Sequence, residues 1–170
     1  MTIREERKEE FPAIYRLVQE AFSTARVSDG DEQDFVDALR ESGNYIPDLA
    51  LVAEEDEKLI GHIMFTRIPI ETPGEDPIFI GLLLAPLCVA LEYRDKGVGK
   101  ALVEEGFSRA QRMGYTAVFL AGDPGYYGRF GFQKSTAFGI ACDGYVPEEN
   151  CLACEIIPGG LDGITGLVPM

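Results

Sequence analysis

The sequence predicts a single-domain α/β protein in which a mixed β-sheet carries helices on its faces. Two amphipathic helical segments open the chain, and strand-like runs separated by turn signals follow them. Later, one buried apolar run leads into a long amphipathic helix and then into a second buried run. Such a strand–helix–strand unit joins parallel strands, whereas short turns join antiparallel ones. A chain of 170 residues is commonly one domain, so we expect a domain spanning 1–170.

The predicted helices of the first forty residues follow a very short strand at Ile3 and Arg4. Apolar residues recur at helical spacing within 9–23, and Pro12 suits the first turn of that helix. A second, shorter helix is predicted over 34–40, where Phe35, Val36 and Leu39 share one side.

The next segment reads as a hairpin. Pro47 marks a turn, 50–53 is a strand, 55–58 is a charged hairpin turn, and 59–70 is a second, long strand. After a loop over 73–77, the apolar run 78–90 predicts a central strand that is buried on both faces.

Proline removes a donor from the strand ladder, so Pro86 predicts a bend or an interruption within that central strand. The helix after Arg94 is defined by one stripe: Gly99, Leu102, Val103, Gly106, Phe107, Ala110 and Met113. Gly114 is suited to cap its C-terminus.

The C-terminal third continues the alternation of strands and turns. A buried strand is expected over 117–121, and a helical turn over 126–130. The last strands are predicted over 134–140 and 152–157.

Charge and composition exclude several classes of function. The net charge is −14, and phosphate binding along a nucleic acid needs a basic face, so we expect no nucleic-acid partner. An acidic surface suits a cationic acceptor such as an amine, although it also simply favours solubility. No apolar run can span a bilayer and the charged N-terminus is unlike a signal peptide, so we expect a cytoplasmic protein without membrane contact.

The four cysteines do not form the disulfide framework of a small secreted domain. Cys151 and Cys154 form a CxxC pair, but residues three apart in a strand point to opposite faces, which argues against shared metal ligation. We therefore expect no metal site, and we expect both residues to be buried structural cysteines.

The most informative segment is the glycine turn, Arg94-Asp-Lys-Gly97-Val-Gly99-Lys-Ala101, which lies between a buried strand and an amphipathic helix. Glycines allow the backbone to approach a ligand closely, and the start of a helix offers unpaired N–H groups that suit a phosphate. Arg94, Lys96 and Lys100 add positive charge where the helix dipole disfavours cations, and a bound anion would reverse that cost.

Two other phosphate-binding loops fit this segment less well. A dinucleotide fingerprint needs a third glycine where Leu102 stands, and a P-loop needs Ser or Thr where Ala101 follows Lys100.

At these residues the sequence resembles the GNAT superfamily of N-acetyltransferases, whose hallmark is Gln/Arg-x-x-Gly-x-Gly/Ala. Arg94, Gly97 and Gly99 fill that pattern, and the run 127–132 is similar to the Tyr-x-x-x-Gly-Phe of the family's second motif. Within the family, the run 122–127 is most similar to the bacterial YhbS-like acetyltransferases. The resemblance spans essentially the whole chain, and Leu91 departs from the proline that many members have there.

The resemblance implies a GNAT-like fold whose sheet splays between its fourth and fifth strands, and acetyl-CoA as co-substrate. The pantetheine arm would pair with the backbone of 87–89, and amides of 96–100 would hold the pyrophosphate. The full set of residues expected at the cofactor is Leu87, Cys88, Val89, Arg94, Asp95, Lys96, Gly97, Val98, Gly99, Lys100, Tyr127 and Phe130. For Tyr126 and Phe130, packing is the plainer role.

The chemistry of acetyl transfer assigns further roles. The backbone N–H of Val89 is the expected donor to the thioester oxyanion, and Tyr127 matches the family's acid for the leaving thiolate. The base stays open among Asp123, Glu92, His62 and water, with Asp123 also suited to a turn before Pro124.

Cys88 has no evident base beside it, so we expect direct attack rather than an acetyl-cysteine. The expected function is acetyl transfer to a small-molecule amine. Transfer to a protein lysine or N-terminus, or a non-catalytic acyl-CoA-binding role, are the alternatives. A peptide acceptor and a homodimer both stay open.

Overall fold

A computed structural model gives the fold and describes all residues except Val27 and Tyr145. Its helices are α1 (Phe11–Phe22), α2 (Glu32–Glu41), α3 (Val98–Arg112) and α4 (Pro124–Tyr127). Its strands are β1 (Thr2–Glu5), β2 (Tyr45–Glu55), β3 (Lys58–Ile70), β4 (Phe79–Val89), β5 (Ala117–Ala121), β6 (Gln133–Lys134), β7 (Ile140–Cys142), β8 (Cys151–Glu155) and β9 (Gly166–Val168). The mixed α/β class predicted from the sequence is confirmed.

The chain forms two compact units. Unit 1 consists of 1–66 and 84–109, and unit 2 consists of 67–83 and 110–170, so β3 and β4 each contribute residues to both. The single domain over 1–170 stays a prediction.

In unit 1, the strands follow the order β1-β2-β3-β4, and β2 pairs antiparallel with both β1 and β3. Helix α1 buries residues at positions i, i+3, i+4 and i+7, which is the spacing of one helical face. That face packs with α2 and the strands into one cluster: Ile14, Leu17, Val18, Ala21, Val36, Ala50, Val52, Met64, Cys88 and Ala90. The positioning of the end of β4 therefore depends on α1.

In unit 2, the first half of β4 pairs in parallel with β5 through Leu82–Val118 and Leu83–Phe119. Strand β5 pairs antiparallel with β8, and β8 with β6, while β7 and β9 form a separate parallel pair. The splay expected between the fourth and fifth strands stays a prediction.

Three local predictions are wrong. Pro47 lies inside β2, where the register with β3 shifts between Tyr45 and Ala50, so a bulge accommodates it without a turn. The interruption expected at Pro86 does not occur, because β4 continues through this residue, which follows a cis peptide bond; the alternative of a bend there stays a prediction. The strand expected over 134–140 is broken by the 3₁₀ turn Ser135–Phe138, which ends at Gly139 in a left-handed conformation (φ 78°).

The ends of α3 give one correction and one confirmation. Met113 lies beyond the helix and is 42% exposed, so it does not belong to the buried stripe. Gly114 follows with φ 92°, as a C-terminal glycine cap requires.

The cysteines of unit 2 also differ from expectation. Cys151 and Cys154 are both buried in β8 as predicted, but Cys151 is bonded in a disulfide to Cys142 of β7. The sequence carried no signal for this pairing, because it depends on how the segment between β7 and β8 folds back. Closing a loop of this length stabilises a fold by roughly 2–3 kcal/mol.

Metal clusters and membrane-spanning helices are both absent from the described residues. No group of three or more His, Cys, Asp or Glu side chains comes together as a metal site within that part of the chain. Of the helices formed by those residues, none combines the length and apolarity needed to cross a membrane.

Candidate functional site

The end of β4 forms the first part of the candidate site, in unit 1. Leu87 and Cys88 are buried and Val89 is half-buried, and the amide of Ala90 donates to the carbonyl of Ile60 at 2.8 Å. Gly61 allows α3 to pack closely here, because a Cβ at that position would lie 2.9 Å from Leu102 Cδ1. The strand end is therefore fixed to β3 and closely backed by α3.

The glycine turn follows the 3₁₀ turn Leu91–Tyr93. Asp95 and Gly97 both adopt left-handed conformations, with φ values of 60° and 83°, and α3 begins at Val98. Ala101 donates to the carbonyl of Gly97 at 3.0 Å, so the amides of Val98, Gly99 and Lys100 precede the first i to i−4 hydrogen bond of α3. A run of unpaired amides at a helix N-terminus is suited to an anion.

The three cations of the turn are directed differently. Lys100 lies 3.8 Å from Glu104 with both side chains largely exposed, and the ammonium of Lys96 lies 5.4 Å from the ring centroid of Tyr93. Arg94 instead reaches the C-terminus of α1. Its Nη1 donates to Thr24 Oγ1 and its Nη2 to the carbonyl of Ala21, both at 2.7 Å. The sequence predicted a common cluster because it could not show this long-range contact.

Cys88 is poorly suited to act as a nucleophile. Burial raises the pKa of its thiol to about 12, although the backbone of His62 hydrogen-bonds the sulfur. The imidazole of His62 is fully buried and bonds Glu6 Oε1 through Nε2 at 2.7 Å. Its Nδ1 has no hydrogen-bond partner in the described part of the chain, which excludes a bond to the Cys88 thiol there.

Glu6 is the centre of a buried polar cluster that sequence reasoning missed. Its carboxylate accepts from Arg40 at 2.8 and 3.0 Å, from Tyr45 at 3.2 Å, and from His62. Burial alone would raise the pKa of Glu6, but hydrogen bonds from His62 and Arg40 outweigh it and lower the pKa to about 2. Burial lowers the pKa of His62, so a neutral imidazole donates to an ionised carboxylate.

The second part of the candidate site is the tyrosine loop, Gly122–Phe132, in unit 2. The ring of Tyr127 packs among three aromatic rings, with centroid distances of 4.9 Å to Tyr126, 6.4 Å to Phe130 and 5.8 Å to Phe132. Gly122 is required beneath it, because a Cβ there would lie 2.6 Å from Tyr127 Cε2. Phe130 is therefore part of this packing.

Residues near β8 hold the start of the tyrosine loop. Asn150 accepts from the amide of Gly122 at 2.9 Å and donates through Nδ2 to its carbonyl at 3.1 Å. Asn150 directly precedes Cys151, whose disulfide ties the same segment to β7. No sequence pattern indicated this support, since the partners lie 28 residues apart.

The base candidates are engaged elsewhere. Asp123 is the N-cap of α4, where its carboxylate accepts from the amide of Gly125 at 2.8 Å, as expected of a turn residue. Glu92 pairs with Lys58 at 2.6 Å on the exposed surface.

Known proteins match this chain over nearly its full length. A protein-family model described as an acetyltransferase (GNAT) domain matches residues 2–135. The N-acetyltransferase YhbS of Escherichia coli K12 is 36% identical over 169 residues, which are 99% of this chain and 95% of that protein.

Solved structures agree with the sequence match. The crystal structure of E. coli YhbS in complex with CoA has a TM-score of 0.83 at 33% identity, covering 99% of this chain and 88% of that one. A GNAT acetyltransferase of Brucella melitensis in complex with acetyl-CoA has a TM-score of 0.76 at 29% identity, covering 99% and 94%. The family model and the extended similarity to YhbS together show that this chain belongs to the GNAT family of acetyltransferases.

Proposed function

We propose that this chain is an N-acetyltransferase that moves the acetyl group of acetyl-CoA to a primary amine by direct attack, with a small molecule as acceptor. The observation that carries the proposal is the first turn of α3, where the amides of Val98, Gly99 and Lys100 precede the first intrahelical hydrogen bond and follow the left-handed Gly97. A pyrophosphate accepts hydrogen bonds from such amides and is favoured by the positive end of the helix dipole.

The glycine turn fits the co-substrate in shape as well as in charge. A Cβ at Gly97 would meet no atom within 4 Å, so the open space over the turn can receive a phosphate. The residues 87–89 precede this turn, with Ala90 and the 3₁₀ turn Leu91–Tyr93 between them, and would pair with the pantetheine arm. The crystallised complexes of YhbS with CoA and of the Brucella protein with acetyl-CoA support the same ligand class.

In the proposed reaction, the amine nitrogen attacks the thioester carbonyl carbon, the new C–N bond forms, and the C–S bond breaks. The N–H of Val89 stabilises the developing oxyanion, and the hydroxyl of Tyr127 protonates the departing thiolate. The proton that the attacking nitrogen loses after the C–N bond forms passes through solvent and restores the tyrosine hydroxyl. An ordinary phenol has a pKa near ~10 and carries its proton at neutral pH.

The acceptor must lose a proton before it attacks, since an alkylammonium has a pKa near ~10.4. Asp123, Glu92 and His62 each hold a hydrogen-bond or ion-pair partner in their own unit. The proposal therefore gives this proton to water and not to a dedicated side chain.

The acceptor class can be identified by a screen. The chain carries a net charge of −14, which favours cationic acceptors such as polyamines and aminoglycoside-like amines. Release of free thiol from acetyl-CoA would be measured with small amines in one arm, and with lysine and N-terminal peptides in another. Turnover confined to peptides would replace the small-molecule proposal, and CoA binding without turnover in any arm would favour the non-catalytic alternative.

Gly97→Val tests the phosphate turn itself. The branched side chain would occupy the open space over the amides, and we expect CoA affinity to fall by roughly 10- to 100-fold. Calorimetric titration of CoA would measure it.

Gly114→Val is the matched control, because Gly114 is also left-handed, also has nothing within 4 Å of a Cβ, and lies just beyond the opposite end of α3. Equal CoA affinity in both variants and the wild type would show that the pyrophosphate does not bind at this turn.

A further inference from the structure

We infer that Arg94 is a positioning residue that couples the glycine turn to the C-terminus of α1, so that binding of CoA and ordering of the last turn of α1 reinforce each other. This inference rests on the proposed binding of acetyl-CoA at the turn. It assigns the guanidinium to the protein and not to the pyrophosphate.

The guanidinium of Arg94 hydrogen-bonds two acceptors at the C-terminal end of α1. Nη1 and Nη2 reach two separate acceptors, Thr24 Oγ1 and the carbonyl of Ala21, at 2.7 Å each. The carbonyls of a final helical turn lack partners within the helix, and the arginine fork satisfies that of Ala21 and fixes its orientation. Lysine carries three donors on one nitrogen but lacks the planar fork, so it is less suited to hold two separate acceptors in a fixed geometry.

The electrostatics favour the same arrangement. Arg94 lies four residues before the start of α3, where a cation is disfavoured by the positive end of the helix dipole. Its guanidinium instead lies at the C-terminus of α1, where the negative end of a dipole stabilises positive charge. One side chain therefore links the end of one helix to the anion-binding start of another.

The C-terminal end of α1 and the end of β4 also pack in one buried cluster. Ala21 packs in the same buried cluster as Cys88 and Ala90, which lie at the end of β4. Residue Arg94 is separated from Gly97 by only Asp95 and Lys96. A shift of the last turn of α1 would thus be transmitted to the turn amides, and by linkage an anion that fixes those amides would stabilise α1.

A double-mutant cycle separates this role from a direct phosphate contact. CoA affinity would be measured by calorimetry for the wild type, Thr24→Val, Arg94→Ala and the double variant. Thr24→Val keeps the shape of the side chain and removes the acceptor, and it lies outside the glycine turn. We expect it to weaken CoA binding roughly fivefold or more, and we expect Arg94→Ala to cost much less in that background than alone.

Two variants control for local disturbance. Thr24→Ser retains the hydroxyl and should bind CoA like the wild type. Ser42→Ala removes a comparable hydroxyl at the C-terminus of α2, where Ser42 Oγ donates to the carbonyl of Leu39 at 2.8 Å, and it should leave CoA affinity unchanged.

Hydrogen exchange gives a readout that does not need the ligand. Arg94→Ala should speed exchange in the last turn of α1 in the free protein, and CoA should slow exchange there only when Arg94 is present. An unchanged affinity in Thr24→Val, full additivity in the cycle, or unaltered exchange in Arg94→Ala would overturn the inference alone. A wild type that fails to bind CoA would instead overturn the proposed function, and the coupling with it.

Discussion

The glycine turn of unit 1 and the tyrosine loop of unit 2 offer different chemistry. The turn presents backbone amides, and Arg94 is engaged with α1. The tyrosine loop presents a side chain, Tyr127, whose ring is held among aromatic neighbours. Backbone function depends on local conformation, whereas side-chain function depends on what distant residues place around it. Substitutions should therefore have different consequences in the two regions.

The supports of the two regions differ as well. Unit 1 contains the buried cluster around Glu6, in which one carboxylate accepts from three side chains. Unit 2 relies on Asn150 and on the disulfide of Cys151. The first support responds to pH and the second to reduction, so the two can be perturbed separately.

The largest effect should come from the tyrosine loop. Tyr127→Phe keeps the ring and removes the hydroxyl proton, and loss of a general acid typically lowers rate by ~10²–10⁴-fold, or about 2.7–5.5 kcal/mol of barrier. The loss should appear in kcat while CoA affinity is nearly unchanged, since the proton is needed only in the transition state.

Tyr126→Phe is the control for this change, because Tyr126 lies in the same aromatic cluster and also loses only a hydroxyl. Steady-state kinetics with an acceptor from the screen, under conditions where chemistry limits the rate, would measure both. Wild-type kcat in Tyr127→Phe would return this residue to a packing role.

The second-largest effect should come from the buried cluster around Glu6 in unit 1. The lowered pKa of Glu6 means that its stabilising contribution is fully present above about pH 4.5 and is lost as the pH falls toward about 2. Glu6→Gln leaves the buried Arg40 with only Asp37, at 2.9 Å, as a carboxylate partner, so we expect a loss of about 3 kcal/mol in unfolding free energy at neutral pH, the low end of the cost of breaking a buried ion pair.

The difference between wild type and Glu6→Gln should shrink as the solution is acidified, because acid neutralises the wild-type carboxylate as well. Denaturant unfolding across this pH range would measure it. Glu5→Gln is the matched control, since the neighbouring carboxylate is 53% exposed and lies 3.8 Å from Arg109. A difference that stays constant down to ~pH 3 would contradict the assignment of the shift to Glu6.

The two regions also show what a sequence can reveal. The glycine turn and α3 were predicted because a strand, a glycine pair and an apolar stripe follow one another within residues 78–113. The contact of Arg94 with Ala21 and the pairing of His62 with Glu6 span 73 and 56 residues, and no periodicity records them. The strand expected over 134–140 failed for a local reason, since its apolar residues occupy a 3₁₀ turn that Gly139 ends.

The smallest effect should come from Cys88, although it lies in the strand that we propose pairs with the pantetheine arm. Its thiol is buried with a pKa of about 12, and the imidazole across from it is bonded to Glu6. If the end of β4 contributes only its backbone to the reaction, Cys88→Ala should change kcat by less than about fivefold. Cys154→Ala, which removes the other buried free cysteine, is the control for lost packing.

Mass spectrometry of wild-type enzyme quenched during turnover should find Cys88 unmodified. An acetylated Cys88, together with lost turnover and retained CoA binding in Cys88→Ala, would show a covalent route. It would also mean that the end of β4 contributes a reactive side chain as well as its backbone.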